Sequence, residues 1–161
     1  MTRLPRVLGV VAVVAVLAAA WFGWSWWQAA HDDGLVRARD RDAVLAATGD
    51  ALVTLNTIDY RDGSEAIDRW LAVTAGGLGT SLGADRKAQL DRATSAQLVA
   101  TASVQQIAVV SLDGDAAQVI AVLDVSIASR GGEPKPGRSH VIADAQRADG
   151  TWKITSVQAA S

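Results

Sequence analysis

SVQQIAVVSLDGDAAQVIAVLDVSIAS, residues 103–129, decides the fold. Asp113, Gly114 and Asp115 sit between two long aliphatic runs, and Asp-Gly tolerates the positive φ that a tight turn demands. The runs are therefore read as two arms of an antiparallel hairpin. In the second arm, Ala117, Val119, Ala121, Leu123, Val125 and Ile127 alternate onto one face. Gln118, Asp124 and Ser126 take the other, with Ile120 and Val122 among them. A period of two with one apolar side marks a sheet that buries one face.

Downstream, RGGEPKPGR (130–138) is a loop, and SHVIADAQR and TWKITSVQ are two further strands joined at ADG (148–150). Upstream the period changes. From Asp40 to Asn56, Val44, Ala47, Ala51 and Leu55 recur at helical spacing, with Leu45 and Leu52 beside them. Gly49 inside this run invites a break, a kink or a close helix approach. NTIDYRDGS then punctuates the chain, and Asp62 or Ser64 can cap a second helix in which Ile67, Trp70, Leu71 and Thr74 share a face. AGGLGTSLGAD (75–85) reads as a glycine-rich break. A third helix runs from Asp85 to Ala100, with Leu90, Ala93 and Leu98 facing inward and Leu82 at its entrance. Three helices followed by a meander of about four antiparallel strands make an α+β domain. Such a sheet, covered by helices on one side, curls into a cone.

The N-terminal segment has a different character. Residues 7–20, VLGVVAVVAVLAAA, contain no charge, and WFGWSWWQ (21–28) holds four of the six tryptophans. Together, residues 7–27 have the length that spans a hydrocarbon core of about 30 Å as a helix. Trp21, Trp24, Trp26 and Trp27 form an aromatic belt at its outer end, because an indole is apolar yet its N–H seeks a polar partner. Arg3 and Arg6 precede the segment and set its topology: N-terminus cytoplasmic, remainder extracytoplasmic. The rival reading is a cleaved signal peptide with its small-residue site at Leu17 to Ala20. The continuation of the apolar run into bulky tryptophans argues against it. The organisation expected is thus a tail (1–6), a single transmembrane helix (7–27), a juxtamembrane stalk (28–38) and one extracytoplasmic α+β domain (39–161).

Composition excludes several function classes. Beyond the anchor stand 13 basic residues, Arg3 and Arg6 set aside, against 17 acidic ones, a net charge of −4, which rules out a general basic footprint for nucleic acid. There is no cysteine, so thiolate catalysis, zinc-thiolate sites and disulfides are absent. His31 and His140 are the only imidazoles. His140 and Asp144 fall on one strand face, but Ser139 points to the other, and a metal site there lacks further ligands. GGLGTSLG (76–83) has no Lys-Ser/Thr and follows a helix, so it is not a phosphate cradle. Asp113-Gly-Asp115 lacks the remaining acidic positions of a calcium loop. No catalytic residue, metal or cofactor is expected.

Four residues remain as candidate pocket or partner contacts: Asp59, Tyr60, Trp70 and Trp152. Asp59 and Tyr60 are read first as a lock at the end of the first helix, with Arg61 and Asp62 adding an ion pair. A cone-fold isomerase would need a buried aspartate and an acidic donor in an apolar pocket, for which Asp59, Tyr60, Asp124 and Asp144 are the only parts. Trp70 and Trp152 are read as core residues; Trp152 lining a cone mouth, where a lipid or small molecule would sit, is the alternative.

The order of these parts resembles a known family. DAVLAATGDALVTLNTIDYRD (42–62), WLAVTAGGLG (70–79), the hairpin 103–127 and the closing DGTWKITSVQ (149–158), behind a lone anchor, are similar to the Mce-associated membrane proteins of actinobacteria. The resemblance covers about Ala43 to Gln158 and rests on order and architecture. It departs in the glycine-rich stretch, where related sequences carry aromatics. It implies an outer domain similar to the cone fold of nuclear transport factor two and of inner-membrane assembly proteins of type IV secretion. It further implies an accessory, non-enzymatic role: keeping Mce lipid-transport complexes assembled, with Mce proteins as partners.

Overall fold

The computed structural model describes Trp21 and residues 33–160. The expected anchor 7–27, with Arg3, Arg6, Trp24, Trp26 and Trp27, otherwise lies outside the described residues, as does His31. Among the described residues no helix is long and apolar enough to cross a membrane. The chain divides after Asp40, and the unit Arg41–Ser161 carries the sheet.

Helix α1 spans Asp33–Leu55, beginning before the expected Asp40 because arginine and alanine in LVRARDRDA are strong helix formers. It runs unbroken through Gly49. A Cβ there would meet Ile107 and Val104 at 3.8 Å, ordinary contact, so the glycine lets strand side chains lie close without kinking the helix. Val44, Thr48, Ala51 and Leu52 form the buried stripe. Leu52 is fully buried and Leu55 only partly so, shifting the expected face by less than a turn. Asn56 Nδ2 donates to Leu52 O (2.8 Å) and Thr57 Oγ1 to Val53 O (2.7 Å), serving carbonyls that a helix end leaves open.

Strand β1 (Ile58–Asp59) follows, then a 3-10 turn (Tyr60–Asp62) and helix α2 (Gly63–Ala72). Asp62 stands at the N-cap of α2, but neither expected capping side chain bonds there. Gly63 matters more: a Cβ at this position would come within 3.1 Å of Leu90 Cδ2, so glycine permits the close approach of α2 to the later helix that carries Leu90.

The glycine-rich stretch is a correction to the sequence reading: Gly76–Ala84 is helix α3, and the domain has four helices where three were expected. Each glycine costs about 1 kcal/mol against alanine. Tertiary contacts outweigh that penalty. Ala75 N donates to Ile154 O (2.9 Å) and Ile154 N to Val73 O (3.0 Å), fixing the entry of α3 to the last strand. Leu78 packs on the main core. Helix α4 (Arg86–Ala96) stops short of the expected Ala100. Gln97 adopts left-handed geometry (φ 44°), and Leu98 N reaches back to Ala93 O (2.9 Å), a Schellman ending that turns the chain into the sheet.

The sheet is a sequential antiparallel meander, β1-β2-β3-β4-β5, with β2 Val99–Asp113, β3 Ala116–Ala128, β4 Lys135–Ala148 and β5 Thr151–Ala159. Four strands were expected; β1, pairing Ile58 with Ala100 and Asp59 with Val99, is the fifth. The turn at 113–116 has Gly114 at φ +55°, and Asp149 and Gly150 both have positive φ (53° and 77°), as primed hairpin turns require. Register shifts at Gln105 and Val110 insert one extra residue each into β2, so Ser103, Gln106, Ala108 and Ser111 share a face despite unequal spacing.

One sheet face carries Val119, Ala121, Leu123, Ala143, Ala145, Trp152 and Ile154 into a core shared with Val44, Ala51 and Leu52 of α1. Ala117 through Leu123 are buried at alternate positions as expected, whereas Ile127, near the strand end, is 48% exposed. A second cluster joins Ile58, Ala66, Ala93 and Ala100, flanked by Tyr60, Trp70 and Leu98.

Candidate functional site

Asp59 and Tyr60 follow closely on the end of α1, and Trp70 reaches back to that end from α2. Asp59 Oδ1 accepts from Arg61 N (2.9 Å), and its other oxygen faces the Arg61 guanidinium at 3.2 Å. That guanidinium lies 5.0 Å from the Tyr60 ring centre. Tyr60 N donates to Leu98 O (2.9 Å), tying the corner to the start of β2. Trp70 Nε1 donates to Thr54 O (2.8 Å) and Thr57 O (3.2 Å). One indole thus serves two carbonyls where α1 ends. Trp70→Phe keeps an aromatic ring, though a smaller one, and removes the donor, leaving part-buried acceptors unserved. It is expected to lower stability by about 1–3 kcal/mol, read as a lower denaturant midpoint at unchanged slope.

Trp152 lies elsewhere. It is 8% exposed, packed in the main core, with the Arg147 guanidinium 5.0 Å from its ring centre across the β4–β5 pair. The expected candidates are therefore not one constellation: three form a corner beside the second cluster, and the fourth is core.

The face of the sheet turned away from the core has its own organisation. Its rows across β2, β3 and β4 read Ser103–Asp124–Arg138, Gln106–Val122–His140, Ala108–Ile120–Ile142 and Ser111–Gln118–Asp144. Arg138 Nε donates to Asp124 Oδ1 (2.9 Å), and the carboxylate raises the arginine's pKa from its ordinary value. Gln118 Nε2 donates to Asp144 Oδ1 (2.8 Å). Ile120 is 40% exposed between these polar rows. Shallow hollows lie along this face, one of about 480 Å³ beside Gln106, Ala108, Ile120 and Val122, another of about 510 Å³ beside Ser103, Asp124 and Arg138. Sequence reasoning singled out none of these residues as a surface. Its signal was the pair Ile120 and Val122, standing on the polar side of an otherwise clean alternation.

These positions bear on chemistry. Asp124 and Asp144 are on the outer face, while Asp59 and Tyr60 sit by a helix-side cluster, so the four parts of an isomerase site do not converge. His140 is exposed, and its strand neighbours put Asp144 two face positions away. Among the described residues no group of three or more His, Asp or Glu could share a metal ion. On the helices, Arg86 is hydrogen-bonded to Asp68 and Ser64, and that contact holds the Asp68 carboxyl below the usual carboxylate range.

With this geometry in hand, comparison with known proteins gives a fold. No family model matches the chain, and neither does any curated protein in sequence. Solved structures do. An IcmL-like type IV secretion system protein from Legionella pneumophila matches with a TM-score of 0.61 at 15% identity, covering 74% of this chain and 91% of that one. The periplasmic domain of DotI matches at 0.60 and 18% identity, covering 74% and 94%. CagV, a VirB8 homologue of the type IV secretion system of Helicobacter pylori, matches at 0.58 and 11% identity, covering 74% and 98%. At such identities the likeness is one of fold. This is the cone-like α+β fold expected, with one more helix and one more strand.

Proposed function

We propose that the chain is a non-enzymatic, membrane-anchored accessory subunit whose outer domain holds a multiprotein envelope complex together by contact. The observation that carries this reading is the fold itself, which is shared with structures described as type IV secretion proteins. It stands behind an apolar, tryptophan-ended segment of membrane-spanning length. Residues 7–27 anchor the chain once, with the N-terminus in the cytoplasm, and 39–161 work outside. The complex is of the Mce lipid-transport type, on the resemblance of residues 42–62, 70–79 and 149–158. Fold alone does not assign function; the scattering of Asp59, Tyr60, Asp124 and Asp144 adds weight against catalysis.

A lipid carrier is the alternative. It would place Trp70 and Trp152 on the wall of a cavity between helices and sheet. The bonds of Trp70 to the end of α1 and the place of Trp152 in the core disfavour it.

Affinity capture of the chain at native expression, from membranes in mild detergent, is expected to recover Mce-domain and permease components. Recovery of none of them would refute the assignment to that complex.

A further inference from the structure

We propose that residues 73–84 are a gate over the outer border of β5: the segment unwinds and lifts as a unit while the sheet stays folded, and so bares the Ile154 N–H and C=O as a sheet edge. β5 is the last strand of the sheet, with none beyond it among the described residues. At Ile154 the chain closes this border itself. Thr74 lies beside Ile154 in a parallel bridge, Ile154 N donates to Val73 O (3.0 Å), and Ala75 N donates to Ile154 O (2.9 Å). The strap 73–75 thus stands where a sixth strand would, over a single residue pair. The Thr74 hydroxyl adds nothing to that hold, since it donates to Trp70 O of α2 (2.8 Å).

Little else keeps the gate shut. Of the four helices α3 alone buries no residue: α1 buries Val44, Ala51 and Leu52, α2 buries Ala66 and Ile67, and α4 buries Ala93. Four of the nine residues of α3 are glycine, and each favours the unwound chain. The helix carries no charge, so it has no ion pair along its surface and no acidic group in its first turn to meet the macrodipole. At its N-cap, Ala75 offers no side chain to the open N–H groups. Within 73–84 only Val73 and Leu78 pack on the main core, and both are part-buried. A segment with so few buried apolar contacts opens at a lower free energy than the domain around it. Its ends suit hinges, with Gly76 at φ +58° and Asp85 alone joining α3 to α4. Closed, the protein masks its own edge; open, it presents one donor and one acceptor in the manner of any unpaired strand.

Residue-resolved amide hydrogen exchange of the full chain in detergent tests this. The amides of residues 79–84 and of Ile154 are expected to exchange together, about a hundredfold faster than those of Leu52 and Leu123. Lys153, whose N–H strand alternation turns toward β4, should stay with the slow set. Leu52→Ala is expected to speed the core amides at least roughly tenfold, through easier global unfolding, and to leave 79–84 and Ile154 unchanged. Leu55→Ala, a milder change, makes the same comparison if Leu52→Ala does not fold. Gly77→Ala and Gly83→Ala together stabilise the wound helix, since a Cβ at 77 meets nothing within 4 Å and one at 83 makes an ordinary 3.8 Å contact. They should slow 79–84 and Ile154 alike by about tenfold.

Three results would overturn the gate. One is exchange of 79–84 as slow as that of Leu123. Another is fast exchange at 79–84 with Ile154 still protected, or the reverse, since the two would then not open as a unit. The third is acceleration of 79–84 by Leu52→Ala in step with the core, which would make global unfolding their only route to water.

Discussion

Trp152→Ala is expected to destabilise the α+β domain by about 3–5 kcal/mol. The side chain is 8% exposed and shares a cluster with Leu52, Leu123 and Ile154. Truncation removes that burial, leaves a void that neighbouring strands cannot close, and strips the face on which the Arg147 guanidinium rests. Trp152→Phe makes a sharper comparison. The indole N–H is buried with no hydrogen-bond partner among the described residues, so deleting it forfeits no bond. The phenylalanine variant should therefore lose less than the alanine variant. Equilibrium denaturation of both variants checks this. A wild-type midpoint for the alanine variant, together with altered fluorescence on adding fatty acids, would return Trp152 to the wall of a binding cavity.

Leu52→Ala is the second large effect, at about 2–5 kcal/mol. Leu52 is fully buried where α1 meets β3, β4 and β5. Alanine is at least as good a helix former as leucine, so helix propensity does not contribute to the loss. What is lost is the packing of α1 on the sheet. Leu55→Ala, three residues on and only partly buried, should cost clearly less. If the two variants unfold at the same denaturant concentration, the inward stripe of α1 has been assigned to the wrong side.

Much of this architecture was legible in the residues. Gly114 at one turn and Asp149-Gly150 at the other mark two hairpins, because few residues accept the positive φ found there. Alternation from Ala117 to Leu123 names the buried face of β3 without any knowledge of its neighbours. The misses share a physical cause. Gly76–Ala84 is helical because Val73, Ala75 and Leu78 are held by Ile154 and the core, contacts remote in sequence. β1 is two residues long and exists only through its bonds to Val99 and Ala100. At the candidate site, Trp152 lies in the core as read, whereas Trp70 is half-buried against the second cluster. The outer face could not be read, since its rows depend on where β2 bulges, and nothing in QQIAVV announces that Gln105 and Val110 are the extra residues.

Those two insertions carry a further consequence. Beyond Ala100, β2 forms one border of the sheet, with no strand past it among the described residues. A straight, regular border running from Thr101 to Asp113 would be a template on which another molecule's strand could zip, and then another, toward fibres. Each irregularity breaks the repeat of donors and acceptors after a few residues, so an incoming strand loses step before it gains much. For a domain that no covalent staple holds closed, that interruption is a built-in defence against runaway polymerisation.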